Sequence, residues 1–203
     1  MLKIAVLVSG GGTDLQSIID AIENRTLTNC KIEMVIGSKE GIYSLERAKK
    51  HNIPSYVISR KEFGNEQSDK ILELIVGKVD LIVLAGYLSI LEGKILDIYK
   101  NKIINIHPSL IPSFCGPNMY GLKVHEAVIK KGVKFSGCTV HFVNDEVDGG
   151  AIILQEVVPV YFEDYAETLQ KRILEKEHII LPKALGLIAD GKVEIINGRV
   201  KIS

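Results

Sequence analysis

The sequence has little cysteine, no excess of either charge and no long apolar run, and each absence excludes a class of protein. The 203 residues include three cysteines, too few and too widely spaced for a disulfide framework or a metal knuckle: Cys30, Cys115 and Cys138. Lys plus Arg and Asp plus Glu each number 25, which argues against general nucleic-acid or membrane-surface binding. No apolar run approaches the roughly 20 residues of a membrane helix, and residues 1–8 are too short for a signal peptide. We therefore expect a protein of the reducing cytoplasm.

Short β-branched runs alternate with amphipathic segments over the first half of the chain. The runs predict strands at 4–8, 32–36, 55–58, 81–84 and 103–107. Helices are predicted between them, at 14–23, near 45–50 and near 67–76. This βαβα order is typical of a parallel, doubly wound sheet covered by helices on both faces.

The pattern changes after His107. An irregular stretch at 110–121 precedes a helix near 124–130, two strands at 139–143 and 152–159 that we expect to be antiparallel, and a helix at 166–189. Pro182 predicts a kink or a break in that last helix. Strands at 193–196 and 199–202, joined by Asn-Gly, predict a hairpin. The expected fold class is α/β: a doubly wound, mostly parallel sheet of about seven strands, Rossmann-like in its N-terminal half, with a small C-terminal hairpin.

Two polar side chains end the predicted strand at 103–107. Side chains of a strand alternate faces, so Asn105 and His107 point the same way at the carboxyl end, until Pro108 stops the ladder. Ligands bind at this end of the strands in such sheets. His107 can exchange a proton near neutral pH, and the Asn105 amide can hydrogen-bond a developing oxyanion. The alternative for a lone histidine is a structural role, but the position at a strand end favours catalysis.

A glycine-rich loop follows the first strand and opens the first helix. Its three glycines, at 10–12, let a backbone approach a ligand closely, and the amides of a helix N-terminus suit a phosphate. The loop lacks the Walker lysine, and Leu15 stands where the dinucleotide pattern requires a glycine. The alternative is a tight turn that Thr13 or Asp14 caps. Asp14 either faces the phosphate, where its charge is unfavourable, or points away as a cap.

Two further segments carry chemistry. Residues 144–150 hold three acids before two glycines without the spacing of an EF-hand, so they predict either a solvated turn or a carboxylate that orients His107. Asp148, next to the glycines, is the best placed of the three. Residues 84–91 leave the fourth strand and are expected to enter a helix. Their apolar side chains predict a slot for a flat ring or, equally, a packing face of that helix.

Taken together and in this order, these elements resemble the folate-dependent phosphoribosylglycinamide formyltransferases. The resemblance is carried by Ser-Gly-Gly-Gly-Thr-Asp-Leu-Gln at 9–16, Leu-Ala-Gly-Tyr at 84–87, Asn-Ile-His-Pro-Ser-Leu-Ile-Pro at 105–112, His-Phe-Val-Asn-Asp-Glu-Val-Asp-Gly-Gly at 141–150, Ile-Leu-Gln at 153–155 and Glu-His at 177–178. Asn-x-His-Pro-Ser with a later Asp-Gly-Gly is specific to domains that transfer formyl groups from folate. The glycine loop, the short length and the Glu-His pair narrow the resemblance to this branch.

The resemblance implies one formyltransferase domain over residues 1–203 and a role for each matched position. The catalytic residues would be Asn105, His107 and Asp148. The ribonucleotide would be bound by Gly11, Gly12, Thr13, Asp14, Leu15 and Glu177. The folate would be bound by Leu88, Ser89, Ile90, Leu91, Asn105, Val143 and Asp145.

The implied reaction moves a formyl group from 10-formyltetrahydrofolate, a co-substrate, to the amine of 5′-phosphoribosylglycinamide in purine biosynthesis. Asn105 and a protonated His107 would stabilise the negative oxygen formed as the amine attacks. His107 or an ordered water would carry the proton to the departing folate nitrogen. The resemblance implies no metal, no tightly bound cofactor, no nucleic-acid or membrane partner, and a monomer or homodimer.

Three features depart from the usual pattern of the family. Asp14 stands where the glycine loop usually has asparagine. The arginine usual for folate binding is missing from 64–66, where Arg60 or Lys61 could replace it, and we assign no folate contact there. The stretch 114–122 is longer than in the better-known members and is expected to reshape the rim where the two substrates meet.

Three alternative functions remain open at this point. Formyltetrahydrofolate deformylases use the same three catalytic residue types, but carry an extra N-terminal domain that we do not expect in a chain whose first strand begins at once. Methionyl-tRNA formyltransferases carry a C-terminal RNA-binding domain and a basic surface, which a neutral chain of 203 residues does not predict. A non-catalytic nucleotide-binding module would keep its ligand affinity after loss of His107.

Overall fold

The computed structural model describes residues 1–203, and its strands and helices alternate as the sequence predicts. The strands are β1 (Leu2–Val8), β2 (Cys30–Gly37), β3 (Ser55–Val57), β4 (Leu81–Leu84), β5 (Ile103–His107), β6 (Phe135–Phe142), β7 (Ile152–Pro159), β8 (Val193–Ile196) and β9 (Arg199–Ile202). The helices are α1 (Thr13–Glu23), α2 (Tyr43–Lys50), α3 (Arg60–Phe63), α4 (Gln67–Ile75), α5 (Lys94–Ile98), α6 (Leu122–Lys131) and α7 (Ala166–Ala189), with a 3₁₀ turn at Gly64–Glu66.

Seven strands form one sheet in the order β3-β2-β1-β4-β5-β6-β7. Strands β1 to β5 pair in parallel, whereas β6 lies antiparallel to both β5 and β7. Strands β8 and β9 form a separate antiparallel hairpin. The predicted fold class, including the change to antiparallel pairing after β5 and the small C-terminal hairpin, is confirmed.

The two faces of the sheet belong to two apolar cores, which explains the nearly continuous apolar runs of β1 and β4. Ile4 and Val6 of β1 lie in the larger core, which includes residues of α1 and α7, while Leu7 lies in the smaller core with residues of α4 and α5. All three side chains are fully buried. Alternate residues of a strand point to opposite faces, so a strand covered on both faces needs apolar side chains at every position.

The strand order changes direction between β1 and β4, and this places the glycine loop beside the loop that follows β4. From β1 the chain adds β2 and β3 on one side, then returns to add β4 on the other side. Ligand crevices of doubly wound sheets form at such a switch point. The two loops are linked directly, because the Leu88 amide donates a hydrogen bond to the Ser9 hydroxyl over 2.9 Å.

One local expectation was wrong. The helix expected within 84–91 does not form there; residues 85–93 are an irregular loop, and α5 begins only at Lys94. Gly86 and Gly93 have φ angles of 65° and 77°, outside the helical region, which accounts for the irregular backbone.

The sequence predicted a kink or a break at Pro182, and the structure excludes the break. Helix α7 runs through 24 residues with Pro182 inside it. Pro182 has no amide hydrogen to donate to the His178 carbonyl.

None of the helices combines the length and the apolar composition needed to cross a membrane.

Candidate active site

Strand β5 carries Asn105 and His107 to the end of the sheet where the crevice opens. In β5 these residues lie opposite His141 and Thr139 of β6, respectively. His107 is 4% exposed, and Asn105 is half-buried. Both line one cavity of about 700 Å³. The expectation that the two side chains face the same space at the strand end is met by this geometry.

The acidic turn folds back over the end of β5 and brings Asp148 to His107. The Asp148 Oδ2 atom lies 3.6 Å from His107 Nδ1, and its Oδ1 atom lies 3.7 Å from His141 Nε2. These distances are too long for hydrogen bonds but short for a charge interaction. The side chains of His107 and Asp148 are 6% and 9% exposed, so little water screens them from each other.

The backbone of the turn explains why Asp148 reaches this place. Asp148 adopts φ 57°, in the left-handed region that aspartate tolerates better than most residues. A Cβ atom on Gly150 would collide with the carbonyl oxygen of Phe142, so only glycine allows the turn to close this tightly. The Phe142 amide then donates to the Ala151 carbonyl over 2.9 Å. Gly150 is therefore a geometric requirement of the turn that carries Asp148.

His141 contacts Asn105 and was missed as a site residue by the sequence reasoning. Its Nδ1 atom lies 2.8 Å from the carbonyl oxygen of Phe142, which can only accept, so Nδ1 carries the hydrogen. Burial lowers the pKa of His141, which keeps the ring neutral and its Nε2 free to accept. The Asn105 amide donates to this Nε2 over 3.1 Å. His141 thereby determines which way the Asn105 amide points, and only the β5–β6 pairing reveals it.

The stretch after β5 closes onto the same two catalytic candidates through its backbone. His107 Nε2 donates to the carbonyl oxygen of Phe114 over 3.0 Å, and the Gly116 amide donates to Asp148 Oδ2 over 2.9 Å. Phe114 and Gly116 adopt φ angles of 52° and 89°. The peptide groups of this stretch therefore contact the imidazole of His107 and the carboxylate of Asp148 directly.

A third histidine, His125 of α6, is buried behind the site. It is 1% exposed, and its Nδ1 atom has no hydrogen-bond partner. Burial, with a smaller contribution from the charge of His107, lowers the pKa of His125 to about 4. A histidine with this pKa is neutral at neutral pH and adds no charge beside His107.

The glycine loop presents the open end of α1 to the crevice. Gly12 is the N-cap of α1 at φ 70°, and no side chain caps the helix. A Cβ atom on Gly12 would lie 2.5 Å from Ser44 Cβ. The alternative of a cap by Thr13 or Asp14 is wrong, because both residues already lie inside the first turn. The first amides of α1 therefore lack intrahelical acceptors and are available to an anion.

Asp14, Leu15 and Glu177 differ in what they offer to a ligand. Leu15 is fully buried in the larger core, so it offers only its backbone amide. Asp14 and Glu177 are 9% and 7% exposed and line the cavity. Burial raises the pKa of Asp14 to about 6. Burial, and next the charge of Asp14, raises the pKa of Glu177 well above its usual value.

The apolar part of the cavity lies between the 85–93 loop and the acidic turn. Leu88 and Ile90 are 61% and 58% exposed there, which is unusual for large apolar side chains in a concave site. Every residue expected to bind folate lines this cavity: Leu88, Ser89, Ile90, Leu91, Asn105, Val143 and Asp145. One continuous space therefore joins the apolar loop, the strand end and the N-terminus of α1.

Arg60 lies nearer to the apolar loop than the sequence alone indicated. Its guanidinium Nη2 atom is 3.2 Å from Glu92 Oε1, directly after the loop residue Leu91. The charge of Arg60 also lowers the pKa of Tyr87, although burial outweighs it and raises that pKa to about 12. Arg60 is one of the two cations considered for the missing arginine, and it is held at the rim by an exposed ion pair.

Comparison with known proteins agrees with this geometry. A model of the formyl transferase family matches residues 2–185. The chain is 45% identical to the phosphoribosylglycinamide formyltransferase of Haemophilus influenzae over 198 residues, 96% of this chain and 91% of that protein. It is 43% identical to the trifunctional purine biosynthetic protein adenosine-3 of Gallus gallus over 96% of this chain, but spans only 19% of that protein.

Solved structures give the same result. The glycinamide ribonucleotide transformylase 1 of Symbiobacterium toebii matches with a TM-score of 0.93 and 38% identity over 100% of this chain and 94% of that chain. A formyltetrahydrofolate deformylase of Pseudomonas syringae matches with a TM-score of 0.89 but 26% identity, over 99% of this chain and 65% of that chain. The chain therefore belongs to the formyltransferase family and, within it, to the phosphoribosylglycinamide formyltransferases.

Proposed function

We propose that this protein transfers the formyl group of 10-formyltetrahydrofolate to the amine of 5′-phosphoribosylglycinamide, giving 5′-phosphoribosyl-N-formylglycinamide in de novo purine (IMP) biosynthesis. One observation carries the proposal: Asn105, His107 and Asp148 lie in a single cavity between the open end of α1 and an exposed apolar loop. Two substrates of different chemistry, one phosphorylated and one with a flat ring, need such a divided site. The similarity to a phosphoribosylglycinamide formyltransferase and to a glycinamide ribonucleotide transformylase supports the ribonucleotide as the formyl acceptor.

The ribonucleotide half of the site is built around the N-terminus of α1. The free amides of the first turn and the positive end of the helix dipole favour a phosphate. Glu177, which reaches the same cavity from α7, accepts hydrogen bonds from the ribose hydroxyls. The residues proposed for this half are Gly11, Gly12, Thr13, Asp14, Leu15 and Glu177.

The folate half is the space between two irregular segments. Residues 85–93 are neither helix nor strand, so their backbone donors and acceptors remain available to the polar edge of a pterin ring. Leu88 and Ile90 offer apolar surface to its faces. Val143 and Asp145 of the acidic turn form the opposite wall.

The chemistry takes place between the two halves. As the substrate amine attacks the formyl carbon, the formyl oxygen becomes negative and is stabilised by Asn105, which keeps one amide hydrogen beyond the one that it gives to His141. His107 contributes the hydrogen on its Nε2 atom, and the Asp148 carboxylate lies 3.6 Å from its other ring nitrogen. Because Nε2 of His107 already donates to Phe114, the formyl oxygen has to replace that carbonyl as acceptor. Holding both substrates in line supplies further acceleration.

A direct spectrophotometric assay distinguishes the proposed formyltransferase from a formyltetrahydrofolate deformylase. Purified protein should convert 10-formyltetrahydrofolate to tetrahydrofolate only when 5′-phosphoribosylglycinamide is present, and the absorbance change on deformylation reports the rate. Equal turnover without the ribonucleotide would favour a deformylase. Ribonucleotide binding without any turnover would favour a non-catalytic module.

We further propose that residues 1–203 act as one formyltransferase domain. The family model spans residues 2–185, and the hairpin beyond it packs Val193, Ile195 and Val200 against the larger core. The domain would work in the cytoplasm, where its three free cysteines stay reduced. Light scattering on the purified protein decides between a monomer and a homodimer.

A further inference from the structure

Two carboxyl groups are buried together beside the glycine loop. Asp14 lies in the first turn of α1 and is 9% exposed, while Glu177 projects from α7 and is 7% exposed. Both residues line the same cavity, where α1 packs against α7, and the charge of Asp14 acts on Glu177. The Oδ1 atom of Asp14 is buried without a hydrogen-bond partner. Two ionised carboxylates in one poorly solvated place repel each other unless a cation compensates them.

No cation compensates this pair at hydrogen-bond distance. His178 of α7 comes nearest, with Nε2 4.0 Å from Asp14 Oδ1, but burial lowers the pKa of His178 and favours its neutral ring. Arg47 of α2 uses its guanidinium elsewhere: Nε donates to the Gly11 carbonyl over 2.8 Å, and Nη1 donates to Gln16 over 2.9 Å.

The other titratable groups around the pair add negative charge or none. Burial, and next the charges of nearby carboxyls including Glu177 and Asp14, raises the pKa of the Cys138 thiol of β6, which stays neutral. Asp20, one and a half turns along α1, acts on His178, as does Glu175 of α7. Glu156 of β7 acts on Cys138 together with the pair. The surroundings therefore favour a proton on at least one of the two carboxyls.

We propose that Asp14 and Glu177 together hold one proton in the free protein, and that binding of the ribonucleotide phosphate adds a second proton from solvent, on Asp14. The inference rests on the proposed function, which places the phosphate at the first turn of α1. An ionised Asp14 repels the phosphate, whereas a protonated Asp14 has an O–H that can donate to it.

The sign of the resulting pH dependence follows from proton uptake. The pKa of Asp14 is about 6 in the free protein, so this carboxyl is mostly ionised at pH 7 to 8. The phosphate charge raises its proton affinity further, so binding consumes a proton. Affinity for the ribonucleotide then falls as pH rises above about 6, by at most about tenfold per pH unit for one proton.

Isothermal titration calorimetry measures this proton directly. Wild type, Asp14→Asn and Asp69→Asn are titrated with 5′-phosphoribosylglycinamide at pH 7.5 in buffers of different ionisation enthalpy. Asp69 is exposed in the first turn of α4, so Asp69→Asn is the same substitution at the start of another helix, away from the pair. We expect Asp14→Asn to take up fewer protons than wild type, by about half a proton or more, and its affinity to depend less on pH. Asp69→Asn should behave as wild type. Protons that the ligand itself takes up or releases are the same for every variant and cancel in the difference.

Equal proton uptake by wild type and Asp14→Asn would overturn the inference while leaving formyl transfer intact. If Asp14→Asn does not fold, carboxyl ¹³C NMR of the wild type replaces it: one buried carboxyl signal should move to the protonated position when ribonucleotide is added, and no movement overturns the inference. Absence of both ribonucleotide binding and formyl transfer overturns the proposed function, and this inference with it.

Discussion

The carbonyl oxygen of Phe114 lies 3.0 Å from Nε2 of His107 and accepts its hydrogen. The neighbouring peptide group contacts the carboxylate, because the Gly116 amide donates a hydrogen bond to Asp148 Oδ2. A single backbone segment therefore holds both catalytic candidates. The side chains of this segment matter less than its path, because the groups that make contact are main-chain atoms.

Replacement of His107 by alanine removes the imidazole that we propose stabilises the formyl oxygen and carries the proton. We expect the rate of formyl transfer to fall by roughly 10²–10⁴-fold, the range for one general acid–base group or oxyanion donor. The ribonucleotide Kd should change little, because the backbone amides that we propose bind the phosphate lie on α1. Stopped-flow rates and calorimetric Kd values separate the two effects. A wild-type rate in this variant would remove His107 from the catalytic assignment.

The Asp148→Asn substitution keeps the hydrogen bond acceptor for Gly116 but removes the negative charge 3.6 Å from His107. We expect kcat to fall by at least about tenfold, because the imidazole loses the charge interaction that supports it in the transition state. The ribonucleotide Kd should stay near the wild-type value, and stopped-flow rates with calorimetric Kd values measure both. A wild-type kcat in this variant would contradict the proposed role of Asp148.

His141→Ala removes the acceptor that orients the Asn105 amide. We expect kcat to fall by about one to two orders of magnitude, within the cost of losing one oxyanion donor, while the KM for ribonucleotide stays near the wild-type value. His141→Gln, whose amide oxygen can accept from Asn105, should restore part of the rate. Equal rates in the alanine and glutamine variants would show that His141 only fills space.

Gly12→Ala tests the backbone of the glycine loop. The residue has φ 70°, and its Cβ would lie 2.5 Å from Ser44 Cβ, so the substitution combines backbone strain with a collision. Strain alone costs about 1–2 kcal/mol, and we expect a lower Tm together with weaker ribonucleotide binding. Gly10→Ala is the matched control, because its Cβ meets nothing within 4 Å and its φ is not positive. An equal fall in Tm in Gly12→Ala and Gly10→Ala would show that the positive φ and the collision at Gly12 are not the cause.

Because Asp14 is buried, the stability of the fold should depend on pH through its carboxyl group. Its folded pKa, about 6, lies above the ordinary value of 3.8, so the native state binds protons more tightly than the unfolded state. Its contribution to stability is therefore favourable only at low pH and is lost as pH rises from about 4 to above 6. Asp14→Asn should raise Tm at pH 7.5, and this gain should shrink towards pH 4. Scanning calorimetry at both pH values measures it; a constant difference would mean that burial of the charge is not the cause.

Most of the sheet could be predicted because strands and helices show themselves in the order of apolar residues over short segments. Strand β4 is apolar at every position because both of its faces are buried, and α1 carries its apolar residues on the one face that is buried. The loop at 85–93 was mistaken for part of a helix since apolar side chains alone do not distinguish a packing face from the lining of a pocket. Only the positive φ of Gly86 and Gly93 separates them.

The candidate site divides in the same way. Asn105, His107 and the Asp-Gly-Gly turn were identified from residue type, spacing and resemblance, whereas His141 and the Phe114 carbonyl were not. His141 acts on Asn105 across a strand pairing, and the carbonyl of Phe114 belongs to a chemical group that every residue has. Neither contact can be predicted from the sequence until the path of the chain is known.

By itself the sequence determined the alternation of strands and helices, the family and the identity of the polar groups at the strand end. Tertiary structure alone decided that no side chain caps α1, that Asp14 and Glu177 are both buried at one cavity, and that one loop backbone contacts both His107 and Asp148. The physical reason is that the order of apolar and polar residues indicates which side chains become buried. Charge interactions and hydrogen bonds depend instead on distances between residues that are far apart in the chain.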